Sequence, residues 1–369
     1  MPSSDAAPME KTLGFVKRAV QVGLCLLLVG LTLEVCARVD DHLTDGAPWV
    51  GPHSFDDMVT FDGSVLRGRP GVRFDKWRMN NLGFRGRDRS LAKPPGTLRV
   101  AALGASETFG IYESPDMEYP AQLERMLAAR LHGVTEVFNM AFLGMSLPRV
   151  TEFCRRDLGS LQADVVVYYP TPTSYLSDRP PRPGVRRPDA APAQASTGLD
   201  LRVARYVENA ARSHVPEAVL DWIRRVELEW RTAGKPPSWF FDEAPADRVA
   251  LFERHLEELI DCVRRSGARL ILVTHPHRFG GGELGPTDRR LFVAWRRFYP
   301  RATDQALLSM EESANASIRR LADEHGVEVA DLARAVPPRP ENFADYAHFT
   351  DRGATIAAGA LAGVIARSR

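Results

Sequence analysis

The chain has 369 residues, 44% hydrophobic and 26% charged, a globular composition with room for one large or two small domains. Lys and Arg number 48 against 47 Asp and Glu, so no global basic field exists to hold nucleic acid. Four cysteines without a CxxC pair exclude a disulfide scaffold and a zinc ribbon alike.

Residues 19–33 (AVQVGLCLLLVGLTL) carry no charge, with Lys11, Lys17 and Arg18 before them and Glu34, Arg38, Asp40 and Asp41 after. A membrane span takes about 20 apolar residues, a length approached when Phe15 and Val16 join and Lys17 and Arg18 snorkel. Basic residues before and acidic residues after predict an N-terminus inside and the remainder outside. The segment reads as a membrane anchor. A signal peptide cut near Val35-Cys36-Ala37 is the alternative, and a buried core helix fits poorly ahead of a polar segment. Residues 40–95 are loop-rich, punctuated by Gly51-Pro52, Gly63, Pro70-Gly71 and Pro94-Pro95.

From residue 98 the pattern becomes regular. Strands are expected over 98–103, 136–142, 164–169, 268–274 and 327–332, and helices over 119–131, 146–158, 248–266, 304–325 and 351–366. This alternation predicts an α/β fold, a flavodoxin-like doubly wound sheet of about five parallel strands with its site at their C-terminal edge. The expected organisation is an anchor or signal over 1–38, a lead-in over 39–96 and the sheet domain over 97–369, with an insertion at 177–247. Within the insertion, 178–194 is Pro- and Arg-rich and reads as an extended loop; Arg179, Arg182, Arg186 and Arg187 read as solvated charge. Residues 199–241 bring Trp222, Trp230 and Trp239, taken as the core of a small helical cap rather than a cleft or a membrane-facing surface. Cys154 and Cys262 sit in amphipathic patterns and read as small buried side chains, although an oxidising compartment would let them pair.

Two segments carry chemistry. In LRVAALGASETFG (98–110) a strand runs into Gly104-Ala105-Ser106, presenting a serine at the sheet edge near free backbone N–H groups. Far downstream, Asp345 and His348 stand three apart before the last helix. That spacing lets a carboxylate hold one ring nitrogen while the other accepts a serine proton. His275 and His277 after the fourth strand do not make a metal site, and Asp331 is a fallback acid read as structural. No metal or cofactor is expected.

Together these segments resemble the SGNH, or GDSL-type, hydrolase family. GASETFG resembles its first block, with Ala105 where the family has Asp. Asn139-Met-Ala-Phe-Leu-Gly144 resembles the second, and Asp345-x-x-His348 followed by Thr350-Asp351-x-Gly353 the last. Asn80-Asn81-Leu-Gly83-Phe-Arg85-Gly86 is similar to a lead-in of envelope-associated members. The resemblance covers residues 80–366 outside the insertions. It implies an SGNH serine esterase or O-acetyltransferase, with Ser106 as nucleophile, His348 as base, Asp345 as orienting carboxylate, and the N–H groups of Ser106 and Gly144 as oxyanion donors. It also implies an acylated envelope or exported polysaccharide as substrate, with the domain outside the cytoplasmic membrane. One block departs: Tyr169-Pro-Thr171-Pro-Thr173 has no Asn where the family completes its oxyanion hole, leaving Thr171 and Thr173 as substitute donors. This departure predicts slow hydrolysis of generic esters and keeps a non-catalytic glycan-binding or assembly role as the alternative.

Overall fold

The computed structural model describes residues 6–50, 53–62, 65–176, 201–280 and 285–367. The Pro- and Arg-rich stretch 178–194, with its four arginines, lies outside them. The described residues form two units, one of 6–57, 72–75 and 201–215, the other of 58–71, 76–176 and 216–367.

The first unit is built on α1, a continuous helix Ala6–Asp45. Val16–Asp45 is long and apolar enough to cross a membrane, with a mean hydropathy of 2.1 and only 6% of its most apolar window buried, which removes the core-helix reading. The helix continues past its apolar run because its polar end has partners on α6 (Arg202–His214). The Glu34 carboxylate accepts the N–H groups of Arg202 (3.2 Å) and Val203 (3.0 Å), capping α6 at its first turn. Asp41 takes Arg202 at 3.4 Å, the Arg205 guanidinium and the Tyr206 hydroxyl. Asp41, Asp45 and His53 come within reach of one cation, but the two arginines already balance Asp41 and His53 pairs with Asp45 at 2.8 Å.

Short strands β1 (Val59–Asp62), β2 (Val65–Gly68), β3 (Arg73–Phe74) and β4 (Trp77–Arg78) occupy the stretch expected to be loop. The second unit then lays down the five-stranded sheet: β5 (Leu98–Leu103), β6 (Thr135–Asn139), β7 (Val165–Tyr168), β8 (Arg269–Val273) and β9 (Glu328–Ala330), in the order β6-β5-β7-β8-β9. All pairs are parallel; Val100 faces Val137 on one side and Val165 on the other. This is the doubly wound α/β sheet. Every residue of β5 and β7 is buried, as strands covered on both faces require. On one face Val100, Ala102, Val167 and Ile271 pack under Leu123 and Leu127 of α3 (Tyr119–Leu131) and the alanine-rich side of α12 (Asp351–Arg367). The alternate residues serve the other face, covered by α4 (Leu147–Leu161), α8 (Ala246–Ser266) and α10 (Asp304–His325). The remaining helices are α2 (Ser106–Phe109), α5 (Thr173–Leu176), α7 (Glu217–Thr232), α9 (Pro286–Arg296) and α11 (Leu332–Ala335).

Two expectations need correction. Cys154 and Cys262 form a disulfide, joining α4 to α8 across 108 residues, because the helices that each cysteine helps to bury lie side by side on the sheet. Trp222 and Trp230 are not a cap core: both project from α7 into solvent, and Trp239 is half-buried. The inward face of α7 is filled instead by Leu228 and by ion pairs of Asp221 with Arg290 and Glu227 with Arg297.

Candidate active site

β5 ends at Leu103, and three residues later Ser106 opens the single turn of α2. Gly104 is required here: a Cβ would lie 2.1 Å from Thr108 Oγ1, so no side chain fits between strand and turn. The carbonyls that end α2 are satisfied by side chains from elsewhere. Asn139 donates to Thr108 O at 2.9 Å, and the Arg85 guanidinium donates to the carbonyls of Phe109 and Gly110. Arg85 is buried and its charge meets the buried Glu118 at 3.0 Å. The lead-in around Asn80 thus has a mechanical role. Asn80 Oδ1 accepts the N–H groups of Leu82 and Phe84, both at 2.9 Å, forming the turn that delivers Arg85 to the Ser106 segment.

The structure brings Ser106, His348 and Asp345 together across 242 residues of sequence. His348 Nε2 lies 2.9 Å from Ser106 Oγ, and His348 Nδ1 lies 2.8 Å from Asp345 Oδ2. Asp345 Oδ1 accepts the backbone N–H groups of Ala347 and His348, both at 2.9 Å, so the carboxylate is locked in place. Burial opposes its ionisation, yet the His348 ring and these N–H groups hold its carboxyl below the usual range. Burial likewise disfavours the imidazolium. The bond to Asp345, the charge of Asp345, and those of Glu107 and Glu113 outweigh it and push the His348 pKa up to about 9. Glu113 is itself pushed up to about 7, chiefly by burial.

In the sequence Glu107 is one polar residue beside a serine. Its side chain is buried, with Oε2 at 3.2 Å from Ser106 Oγ, which donates to it, and Oε1 accepting from Thr171 Oγ1 at 3.1 Å. Behind it His275 is fully buried, its Nε2 4.0 Å from Glu107 Oε1 and its Nδ1 2.8 Å from Glu311, which also accepts the Tyr175 hydroxyl at 2.7 Å. Burial works against protonating His275, but Glu311 and Glu107 hold its pKa above the ordinary value. A polar chain therefore runs from the serine into the protein, and His275 belongs to it rather than to a substrate surface. No local sequence signal distinguishes a buried Glu from a solvated one here.

The third block differs from expectation in one respect. A hydroxyl has one proton, and that of Thr171 goes to Glu107 rather than over Ser106. Thr173 shares a hydrogen bond with the Tyr299 hydroxyl at 3.3 Å. The backbone N–H groups of Ser106 and Gly144 bond to no other group among the described residues, and Gly144 adopts φ +69° in an exposed turn. Tyr112 stands edge-on to His348, ring centroids 5.5 Å apart, and also lines a cavity of about 340 Å³ with Ser114, Glu341, Asp351 and Arg352. Asp331 binds Thr274 at 2.8 Å and Arg319 at 2.9 Å, a structural role, and His277 Nδ1 accepts the Phe279 N–H at 3.2 Å.

Its structural neighbours include GDSL-type lipolytic hydrolases and acetyl xylan esterases. Solved structures similar to this chain include a lipase/acylhydrolase from Enterococcus faecalis, with 15% identity, 73% of this chain and 96% of that one covered, and TM-score 0.44. A GDSL-like lipase from Bacteroides thetaiotaomicron is similar over 73% of this chain and 86% of its own, with 10% identity and TM-score 0.36. A variant of an acetyl-xylooligosaccharide esterase from Geobacillus stearmophilus covers 75% of this chain and 96% of its own, with 14% identity and TM-score 0.40. These likenesses lie in the fold. No family model and no curated protein matches the chain.

Proposed function

We propose that the protein is a membrane-anchored SGNH-type serine esterase or O-acyltransferase. The observation that carries this reading is the Ser106–His348–Asp345 relay, with hydrogen bonds of 2.9 and 2.8 Å. In the neutral state of His348 the Ser106 hydroxyl swings its one proton from Glu107 to Nε2, which takes it as Oγ bonds to the acyl carbon; Asp345 keeps the other proton on Nδ1 and stabilises the imidazolium. The N–H groups of Ser106 and Gly144 serve as oxyanion donors. His348 then returns the proton to the departing alcohol, leaving an acyl-enzyme that water (esterase) or a sugar hydroxyl (transferase) resolves. With the Thr171 hydroxyl spent on Glu107, only two backbone donors are assured, which fits slow turnover of generic esters.

The substrate class we propose is an acylated envelope or exported polysaccharide, with α1 as a retained single-pass anchor of the cytoplasmic membrane and the domain outside. Retention is supported by Glu34, whose carboxylate caps α6 and which a cut near Ala37 would remove. Export is supported by the Cys154–Cys262 disulfide, a bond characteristic of oxidising compartments, and by Lys11, Lys17 and Arg18 before the apolar run. A non-catalytic polysaccharide-assembly role is the second reading, favoured by the missing third-block Asn. Purified full-length protein should release p-nitrophenol from p-nitrophenyl acetate, and Ser106→Ala should lose several orders of magnitude in rate. Absence of turnover in wild type, with and without acetylated polysaccharide, would leave the assembly role.

A further inference from the structure

The apolar stripe of α7 faces away from the unit that carries it. Val219, Trp222, Ile223, Val226 and Trp230 recur at helical spacing and are all exposed, Trp222 at 63% and Trp230 at 80%. A surface helix ordinarily turns such a stripe inward and its charges outward. Here Asp221 is buried and ion-paired with Arg290, and the half-exposed Glu227 pairs with Arg297. The two tryptophans alone expose on the order of 300 Å². Apolar patches of that order are often functional surfaces.

What covers it is indicated by the chain's own connectivity. The first turn of α6 is fastened to Glu34 and Asp41, at the polar end of the apolar helix α1. Helix α6 has 13 residues, about 20 Å of length, and only Val215 and Pro216 separate its end from α7. Covalent connectivity alone therefore tethers the start of α7 within about 30 Å of the Glu34 contact. Tryptophan, with an apolar body and one polar N–H, is the residue that concentrates at bilayer interfaces.

We propose that the Val219–Trp222–Ile223–Val226–Trp230 face of α7 beds into the interfacial layer of the bilayer that α1 crosses, giving the domain a second membrane contact. This rests on the reading of α1 as a retained anchor. The helix carries Glu217, Asp221, Glu227 and Glu229 against Arg224, Arg225 and Arg231, a net charge of −1, so apolar burial and not attraction to anionic lipid drives the contact.

The test uses full-length protein in phosphatidylcholine vesicles, with and without phosphatidylglycerol, whose acyl chains are bromine-substituted to quench tryptophan. Wild type should be quenched equally in both compositions, and Trp222→Gln/Trp230→Gln should lose most of that quenching while keeping its circular dichroism spectrum. Flotation after a carbonate wash reports the anchor separately. Protein that floats but whose quenching is unchanged in the double variant overturns the α7 contact and leaves the anchor standing. Protein that fails to float overturns both. Cross-linking of Val226→Cys to a second copy, in a Cys25→Ser/Cys36→Ser chain, would assign the stripe to self-association and also overturn the proposal.

Discussion

Replacing Glu107 by Gln removes one negative charge from beneath the serine while keeping an oxygen for Thr171. Glu107 Oε2 is 3.2 Å from Ser106 Oγ, which is 2.9 Å from His348 Nε2, so carboxylate and imidazole lie within about 6 Å. At an effective dielectric constant of about 20, unit charges at that distance interact by ~3 kcal/mol, or roughly two pKa units, an upper estimate for a site with an opening to solvent. His348, pushed up to about 9, is only about one per cent neutral at pH 7 and can seldom accept a proton. In Glu107→Gln the imidazole should titrate roughly one to two units lower, raising its neutral fraction at pH 7 about tenfold or more. The expected result is counter-intuitive: the variant is faster than wild type at neutral pH, and its advantage disappears above pH 9. The assay is kcat/KM for p-nitrophenyl acetate between pH 5.5 and 10, read at the isosbestic wavelength of the product. NMR titration of the His348 ring reports the same shift without turnover. A profile whose midpoint stays near 9, or moves to higher pH, would refute the electrostatic reasoning.

Other outcomes follow from the same geometry. Arg85→Ala strands the buried Glu118 carboxylate and frees two carbonyls at the end of α2; it should cost ~3–5 kcal/mol in chemical denaturation and depress turnover through misplacement of Ser106. A cross-link closing 108 residues is worth at most about 5 kcal/mol, so Cys154→Ser/Cys262→Ser should lower stability by ~2–4 kcal/mol. In cells both cysteines should resist maleimide until reductant is added; ready labelling would refute export. Folded His348 binds its proton more tightly than the unfolded chain, as does Glu113. Their stabilisation is complete below the unfolded values and is lost as pH rises through about 7 for Glu113 and about 9 for His348, so Tm should fall across pH 6.5–9 while kcat/KM rises. A Tm that climbs over this range would refute the shifts.

The boundaries of β5, α3 and α10 could be read directly from the chain, because hydrophobic period and helix stops are local properties. Ser106, Asp345 and His348 were legible for a related reason: each sits beside a strand end or helix start that local pattern locates, and the resemblance paired them. What lay beyond local pattern needed tertiary structure. The partners Arg85 and Phe109, or Cys154 and Cys262, meet only because strand order brings their elements together, and no short-range periodicity encodes that. Glu107 looks like any polar residue until the turn of α2 points it inward against Thr171 and His275. Trp222 and Trp230 show the limit most plainly. Periodicity reveals that they share a stripe, but the side of α7 that meets the sheet domain is chosen by Leu228 and by Asp221 and Glu227 finding Arg290 and Arg297, partners that exist only once the chain has folded.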